Sequence, residues 1–407
     1  MKEKRKNTIL VCGTILFTIA SIEIFSLVSL NILRRQNKEL LIMERSKVTY
    51  KGEESKKILK TIQAKTQKDF RLSRPKPYKD SSYFEWFIKE EWSKDHPECK
   101  IKITHNGNGF NLKQNDTENC RGTTIKNGWR VTTDQPLMVK NNIFIYGGST
   151  AMNHEVPNNL TIASYLQRFL NQEKMFYKVN NRGFTSVVTS QQIEFLKKEA
   201  IAKDDIIIFY DGGNNQWQGV ANGSPEGTII GNNKKILRLQ SLKSFVSKLQ
   251  SYQLLKQLRN QNKEYYCDLL NDKDLKEKAN KAFDFYKKNL LSAKQYVEDR
   301  EAIFLHFMQP HLFTSNELER SDYEISLLGS PHLIPICASN YLTIASNVFS
   351  RRHIELKKIG VNSYDISKML DKNDPRRPKG EFFLDWIHIT EKGNKAVALE
   401  IFKKIGK

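Results

Sequence analysis

The chain has 407 residues, with 66 Lys and Arg against 45 Asp and Glu, a formal net charge of +21 and a pI near 9.5. An apolar share of 39% and an aromatic share of 10% exclude a wholly disordered polymer and fit one large domain with additions. The positive excess suits an acidic partner or simple lysine enrichment; no zinc-finger, helix-loop or Gly-rich phosphate signature accompanies it, so no nucleic-acid partner is expected.

Lys2, Lys4, Arg5 and Lys6 open the chain, an apolar run covers 8–33, and Arg34, Arg35 and Lys38 follow. At about 1.5 Å per helical residue this run can cross a bilayer with some tilt. It is expected to be a single transmembrane anchor, with 1–7 as a cytoplasmic tail and the remainder extracytoplasmic, in a periplasm or on the cell surface. The flanking charges are nearly balanced, so orientation rests on the short basic tail, which resembles that of a signal-anchor. Cleavage near Thr18-Ile19-Ala20 is the competing reading, although the apolar pattern continues well past that point. Glu23 inside the run is expected to reach the headgroups or be protonated, with helix–helix pairing as the alternative.

Residues 34–72 are charged with sparse apolar positions and read as a helical stalk, stopped by Arg74-Pro75-Lys76-Pro77. Residues 73–134 form an N-terminal extension with an aromatic-rich stretch of Tyr83, Phe84, Trp86, Phe87 and Trp92, expected to pack rather than bind. Four cysteines, Cys99, Cys120, Cys267 and Cys337, lie beyond the apolar run. Cys99 and Cys120 flank a polar Asn- and Gly-rich stretch, the kind of loop a disulfide staples in an oxidising compartment; free buried thiols are the alternative.

From 135 to 407 short apolar runs alternate with helical patterns. Strands are predicted near 142–146, 177–180, 205–210, 302–308 and 362–366, and helices near 160–172, 189–202, 273–299, 338–358 and 391–405. That alternation predicts a three-layer α/β sandwich with a five-stranded parallel sheet, flavodoxin-like in class, covered on both faces. Such sheets bind ligands outside the carboxyl ends of their strands.

Gly147-Gly148-Ser149-Thr150 follows the first of these strands, Asn181-Arg182-Gly183 the second, and Asp211-Gly212-Gly213-Asn214-Asn215 the third. A serine at a tight strand-to-helix turn can present its hydroxyl, a glycine lets a backbone N–H approach a substrate, and an asparagine amide can donate to an oxyanion. Asp385-Trp386-Ile387-His388 stands before the last helix; its histidine can take a serine proton if the carboxylate fixes the ring. Each tetrapeptide alone is an ordinary turn; their joint order and placement point to catalysis. His306 and His311 lack the further ligands of a metal site, so neither metal nor other cofactor is expected. Arg182 could meet an anionic substrate or simply be solvated.

In this order the motifs resemble those of the SGNH (GDSL-like) hydrolases, over roughly residues 135–405. The resemblance implies Ser149 as nucleophile, His388 as general base and Asp385 as its orienter. It implies an oxyanion hole from Ser149, Gly183 and Asn214, supported by Gly148, Gly212 and Asn215. Asn215 departs from the family's usual Asp, which bears on rate or substrate more than on mechanism. Phe307-Met308-Gln309-Pro310 is similar to a Gln-Pro turn of membrane-anchored members. The expected activity is serine ester hydrolysis through an acyl-enzyme, removing a small acyl group such as acetyl from an envelope polysaccharide or glycolipid. An O-acyltransferase on the same polymers, a lipid esterase and a non-catalytic assembly module are the alternatives. Segment 216–270, where specificity would reside, carries no readable motif.

Overall fold

The computed structural model describes residues 103–104, 112–120, 122–153, 155–220, 272–314, 320–321, 324, 327, 338–377 and 382–405. The expected anchor, the stalk, the aromatic stretch and Cys99, Cys267 and Cys337 lie outside these residues. Among the described residues no helix is long and apolar enough to cross a membrane.

The extension contributes short antiparallel strands. β1 (Ile103–Thr104) pairs with β2 (Lys113–Gln114), and β3 (Thr117–Cys120), β4 (Thr123–Lys126) and β5 (Trp129–Arg130) form a second small sheet. Cys120 is buried and disulfide-bonded. Arg130, on β5, is also buried and directs most of its guanidinium to the segment after Ser149. It donates to the carbonyls of Met152, Asn153 and Val156, to Thr123 Oγ1 and to Asn158 Oδ1.

The main sheet then forms from β6 (Asn141–Gly147), β7 (Tyr177–Gly183), β8 (Ile206–Asp211), β9 (Ile303–Met308) and β10 (Ser363–Asp365). Its order is β10-β9-β8-β6-β7, all parallel, as the alternating pattern predicts. Alternate side chains enter opposite layers. Ile143, Ile145, Ile206, Ile208, Leu305 and Phe307 face one core; Phe144, Tyr146, Ile207, Phe209 and Phe304 face the other. Burial on both faces is why these strands read as continuous apolar runs, each fully buried side chain being worth about 1.5–3 kcal/mol.

Helix α1 (Ser149–Met152) follows β6 at once, and α2 (Ile162–Gln172) runs back along the first layer, its N-terminus capped by Thr161 Oγ1 accepting from Ser164 N–H at 3.2 Å. The remaining helices are α3 (Thr189–Leu196), α4 (Gly213–Val220), α5 (Asp272–Glu298), α6 (Ala338–Arg352), α7 (Ile354–Lys358) and α8 (Glu391–Ile405). The single helix predicted over 338–358 is two, broken at His353, whose imidazole Nε2 lies 2.7 Å from Ser363 Oγ. The helix predicted over 189–202 stops at Leu196, where the hydrogen bonds tighten to three-residue turns, Lys198 N–H to the Phe195 carbonyl and Glu199 N–H to that of Leu196; Asp204, at φ +63°, then precedes β8.

Candidate active site

The carboxyl ends of β6, β7 and β8 open on one side, and the last loop before α8 folds over them. At the end of β6 the backbone has no room for side chains. A Cβ on Gly147 would sit 2.3 Å from the Tyr210 carbonyl oxygen, and one on Gly148 would sit 2.4 Å from Asn214 Nδ2. Two glycines therefore let the strand turn directly into α1, with Ser149 at its first position and 8% exposed. Behind Ser149, Thr150 Oγ1 donates to Gln309 Oε1 at 3.0 Å, so the Gln-Pro turn after β9 clamps α1. Asn153, left-handed at φ +54°, closes the helix and ties it to Asn394 of α8 at 2.9 Å.

His388 reaches Ser149 across 239 residues of sequence: Nε2 lies 2.8 Å from Ser149 Oγ, and Nδ1 lies 2.6 Å from Asp385 Oδ2. The other Asp385 oxygen accepts from the backbone N–H groups of Ile387 at 2.8 Å and His388 at 2.7 Å. Three-residue spacing thus makes a closed turn whose carboxylate holds both backbone and ring. Helix α8 takes its cap elsewhere, since Thr390 Oγ1 accepts from Gly393 N–H at 3.4 Å. Burial works to raise the Asp385 carboxyl, but the His388 charge and these hydrogen bonds outweigh it and hold it below the usual range. For His388, burial would depress the imidazole; the Asp385 and Glu155 carboxylates and the Asp385 hydrogen bond outweigh it and hold it up at about 9.

Gly212 forms the β8–α4 turn at φ +114°, a conformation that strains any L side chain. It delivers Asn214, whose Nδ2 stands against Gly148 and donates one of its two hydrogens to the Val187 carbonyl at 2.8 Å. Asn215 turns away and accepts from Thr189 Oγ1 at 2.9 Å, so it braces α3 against α4. Below this turn lies a buried polar chain. Tyr286 OH donates to Asp211 Oδ1 at 2.5 Å and sits 2.6 Å from His306 Nε2, while His306 Nδ1 is 2.6 Å from Ser363 Oγ. His306 is thus a core residue. His311 is buried as well, 2.9 Å from Gln216 Oε1, and burial pushes it down to about 3. No cluster able to hold a metal ion occurs among the described residues.

Two expectations need correction. The Gly183 N–H does not face an oxyanion position: it donates to Asn181 Oδ1 at 2.9 Å, and Asn181 Nδ2 in turn donates to the Ala151 carbonyl at 3.0 Å. Gly183 is small because α1 lies on it; a Cβ there would fall 2.2 Å from Met152 N. It packs against α1, and its N–H is taken up by Asn181. Arg182 is not available to an anionic substrate either. It forms a two-pronged pair with Glu199, 2.5 Å and 2.9 Å, with its guanidinium over Trp129 and Phe144.

One residue at the site had no motif to announce it. Glu155, 3% exposed, places Oε1 at 3.4 Å from His388 Nε2. Its only sequence signal is an acid six residues after the serine, which is uninformative without the fold.

No family model and no curated protein matches the chain. Solved structures similar to it include a lipolytic protein of the G-D-S-L family from Veillonella parvula, 11% identical over 65% of this chain and 100% of that one, with a TM-score of 0.37. The acetyl xylan esterase AlAXEase is 13% identical over 65% of this chain and 98% of that one, with a TM-score of 0.35. The acetylxylan esterase Axe2 from Geobacillus stearothermophilus is 10% identical over 67% and 96%, with a TM-score of 0.35. At such identities and TM-scores the residues of this chain must carry the assignment themselves. Its parallel sheet order, its Gly-Gly-Ser turn and its Asp385–His388–Ser149 line are features of this chain itself.

Proposed function

We propose that this chain is a serine ester hydrolase of the SGNH type. The observation that carries the reading is the unbroken line from Ser149 Oγ through the His388 imidazole to Asp385, at 2.8 Å and 2.6 Å. Neutral His388 takes the Ser149 proton at Nε2 as Oγ attacks the ester carbonyl carbon. Asp385 holds the Nδ1–H tautomer and stabilises the imidazolium. The Ser149 N–H, in the first turn of α1 where helix hydrogen bonding leaves donors over, and the second hydrogen of Asn214 Nδ2 receive the oxyanion. His388 then protonates the leaving alkoxide. Water repeats the sequence on the acyl-enzyme, releasing the acid and returning the proton to Ser149.

We assign a small acyl group, acetyl foremost, on an envelope carbohydrate or glycolipid as substrate. The motif resemblance and the net charge of +21 support this choice, and two of the similar structures bear the names of acetyl xylan esterases. Residues 8–33 would anchor the protein, with the catalytic domain outside the cytoplasmic membrane and Cys120 paired to Cys99. The full chain is to be assayed against p-nitrophenyl acetate and longer acyl esters beside its Ser149→Ala variant. Hydrolysis that falls with acyl length and vanishes in the variant is expected; undiminished turnover without the hydroxyl would overturn the mechanism.

A further inference from the structure

Three features place a second carboxylate on the reactive side of His388. First, Glu155 Oε1 lies 3.4 Å from Nε2, the nitrogen that must exchange the proton with Ser149. Asp385 faces the opposite nitrogen, so the imidazole stands between two carboxylates. Second, Glu155 is almost wholly buried, on the segment joining α1 to α2, where its charge is poorly screened. Third, that segment is fixed by a strand that precedes the main sheet in the chain. Arg130 of β5 holds the carbonyls of Met152, Asn153 and Val156, on both sides of Glu155. Burial works against the Arg130 charge and the Glu155 carboxylate works for it, so the two ions are electrostatically linked.

Resting on the Ser149–His388 reading above, we propose that Glu155 is a second carboxylate of the catalytic centre, which stabilises the imidazolium formed when His388 takes the serine proton. At 3.4 Å it is outside good hydrogen-bond distance and does not displace Ser149, at 2.8 Å, as the partner of Nε2. It acts by charge, and no proton passes to it. The proton moves from Ser149 Oγ to His388 Nε2 and on to the leaving oxygen; Glu155 lowers the energy of the charged intermediate state on either side of that transfer. The same interaction requires a higher pH before His388 is neutral and able to start. The groups that set this balance are Asp385 on the same loop, Glu155 from the α1–α2 segment, and Arg130 from β5 behind Glu155. The extension thereby tunes the base: Arg130 places Glu155, and Glu155 strengthens His388.

The test is Glu155→Gln in the full chain, which keeps the shape and removes the charge. An opposite charge within about 4–6 Å typically shifts a pKa by about 1–3 units. The His388 imidazole, followed by NMR with ring-labelled histidine and assigned with His388→Ala, is expected to titrate at least about one unit lower in Glu155→Gln. The acid limb of kcat/KM for p-nitrophenyl acetate should move down with it, while plateau kcat falls. Glu155→Asp, which keeps a charge, should restore part of both. If Glu155 only braces the segment under Arg130, Glu155→Gln will lower the melting temperature and leave the imidazole titration and the acid limb where they were; that result overturns the proposal. Repeating the titration in Ser149→Ala separates the two readings. A shift there with no esterase activity in the unmodified chain would sink the proposed function and leave the Glu155–His388 coupling standing.

Discussion

Asp385→Asn is the sharpest single test of the triad, because the surrounding hydrogen bonds dictate how the amide must sit. Asp385 Oδ1 accepts from two backbone N–H groups, of Ile387 and His388, at 2.8 Å and 2.7 Å. An asparagine keeps both bonds only by placing its carbonyl oxygen there, which turns its NH₂ toward His388 Nδ1. Two donors cannot face each other, so the ring must either rotate or carry its proton on Nε2. In the second case a donor, not an acceptor, faces Ser149 Oγ, and the base is lost without any change in shape. A wrong tautomer of this kind costs on the order of 10⁴-fold in kcat, or about 5.4 kcal/mol of transition-state stabilisation. His388→Ala should cost more, and the double variant should be little worse than His388→Ala alone, since the two residues act as one unit. Stopped assays of p-nitrophenyl acetate hydrolysis, with a thermal melt as control for folding, supply the comparison. Near-native kcat in a stably folded Asp385→Asn protein would remove Asp385 from the mechanism.

Asn214→Ala removes the proposed oxyanion donor and should lower kcat roughly 10²–10³-fold with little change in fold; a loss confined to KM would mean that Asn214 binds ground and transition states alike. The raised His388 pKa fixes the sign of the pH dependence. The free enzyme should gain kcat/KM as pH rises and His388 deprotonates, reaching its plateau above about 9, and an activity maximum near pH 6 would contradict this. The same shift stabilises the fold fully below the unfolded histidine value, near 6.5, and that contribution fades as pH climbs through about 9, which melting curves across pH 6–10 will register. Mass mapping without reductant should recover a peptide pair joining Cys99 to Cys120; Cys120 joined to Cys267 or Cys337 would refute that pairing.

The sequence by itself determined the sheet and marked most of the residues that the fold brings together at its strand ends. A parallel strand buried on both faces has no polar side to interrupt it, so Ile143–Tyr146 and Ile206–Tyr210 announce themselves as apolar runs. Gly148, Ser149 and Asn214 stood out as small or amide residues at strand ends, and Asp385 and His388 as an acid–imidazole pair three apart before the last helix. Only the tertiary structure decided what each donor and charge faces. Gly183 matched a motif, yet its N–H is claimed by Asn181 two residues away and its missing side chain makes room for α1. Arg182 looked available until Glu199 came alongside. Glu155 was invisible because its meaning is a 3.4 Å distance to a residue over two hundred positions later. Strand periodicity is carried by neighbours along the chain. Electrostatic partners are chosen across space, and no spacing in the sequence encodes them.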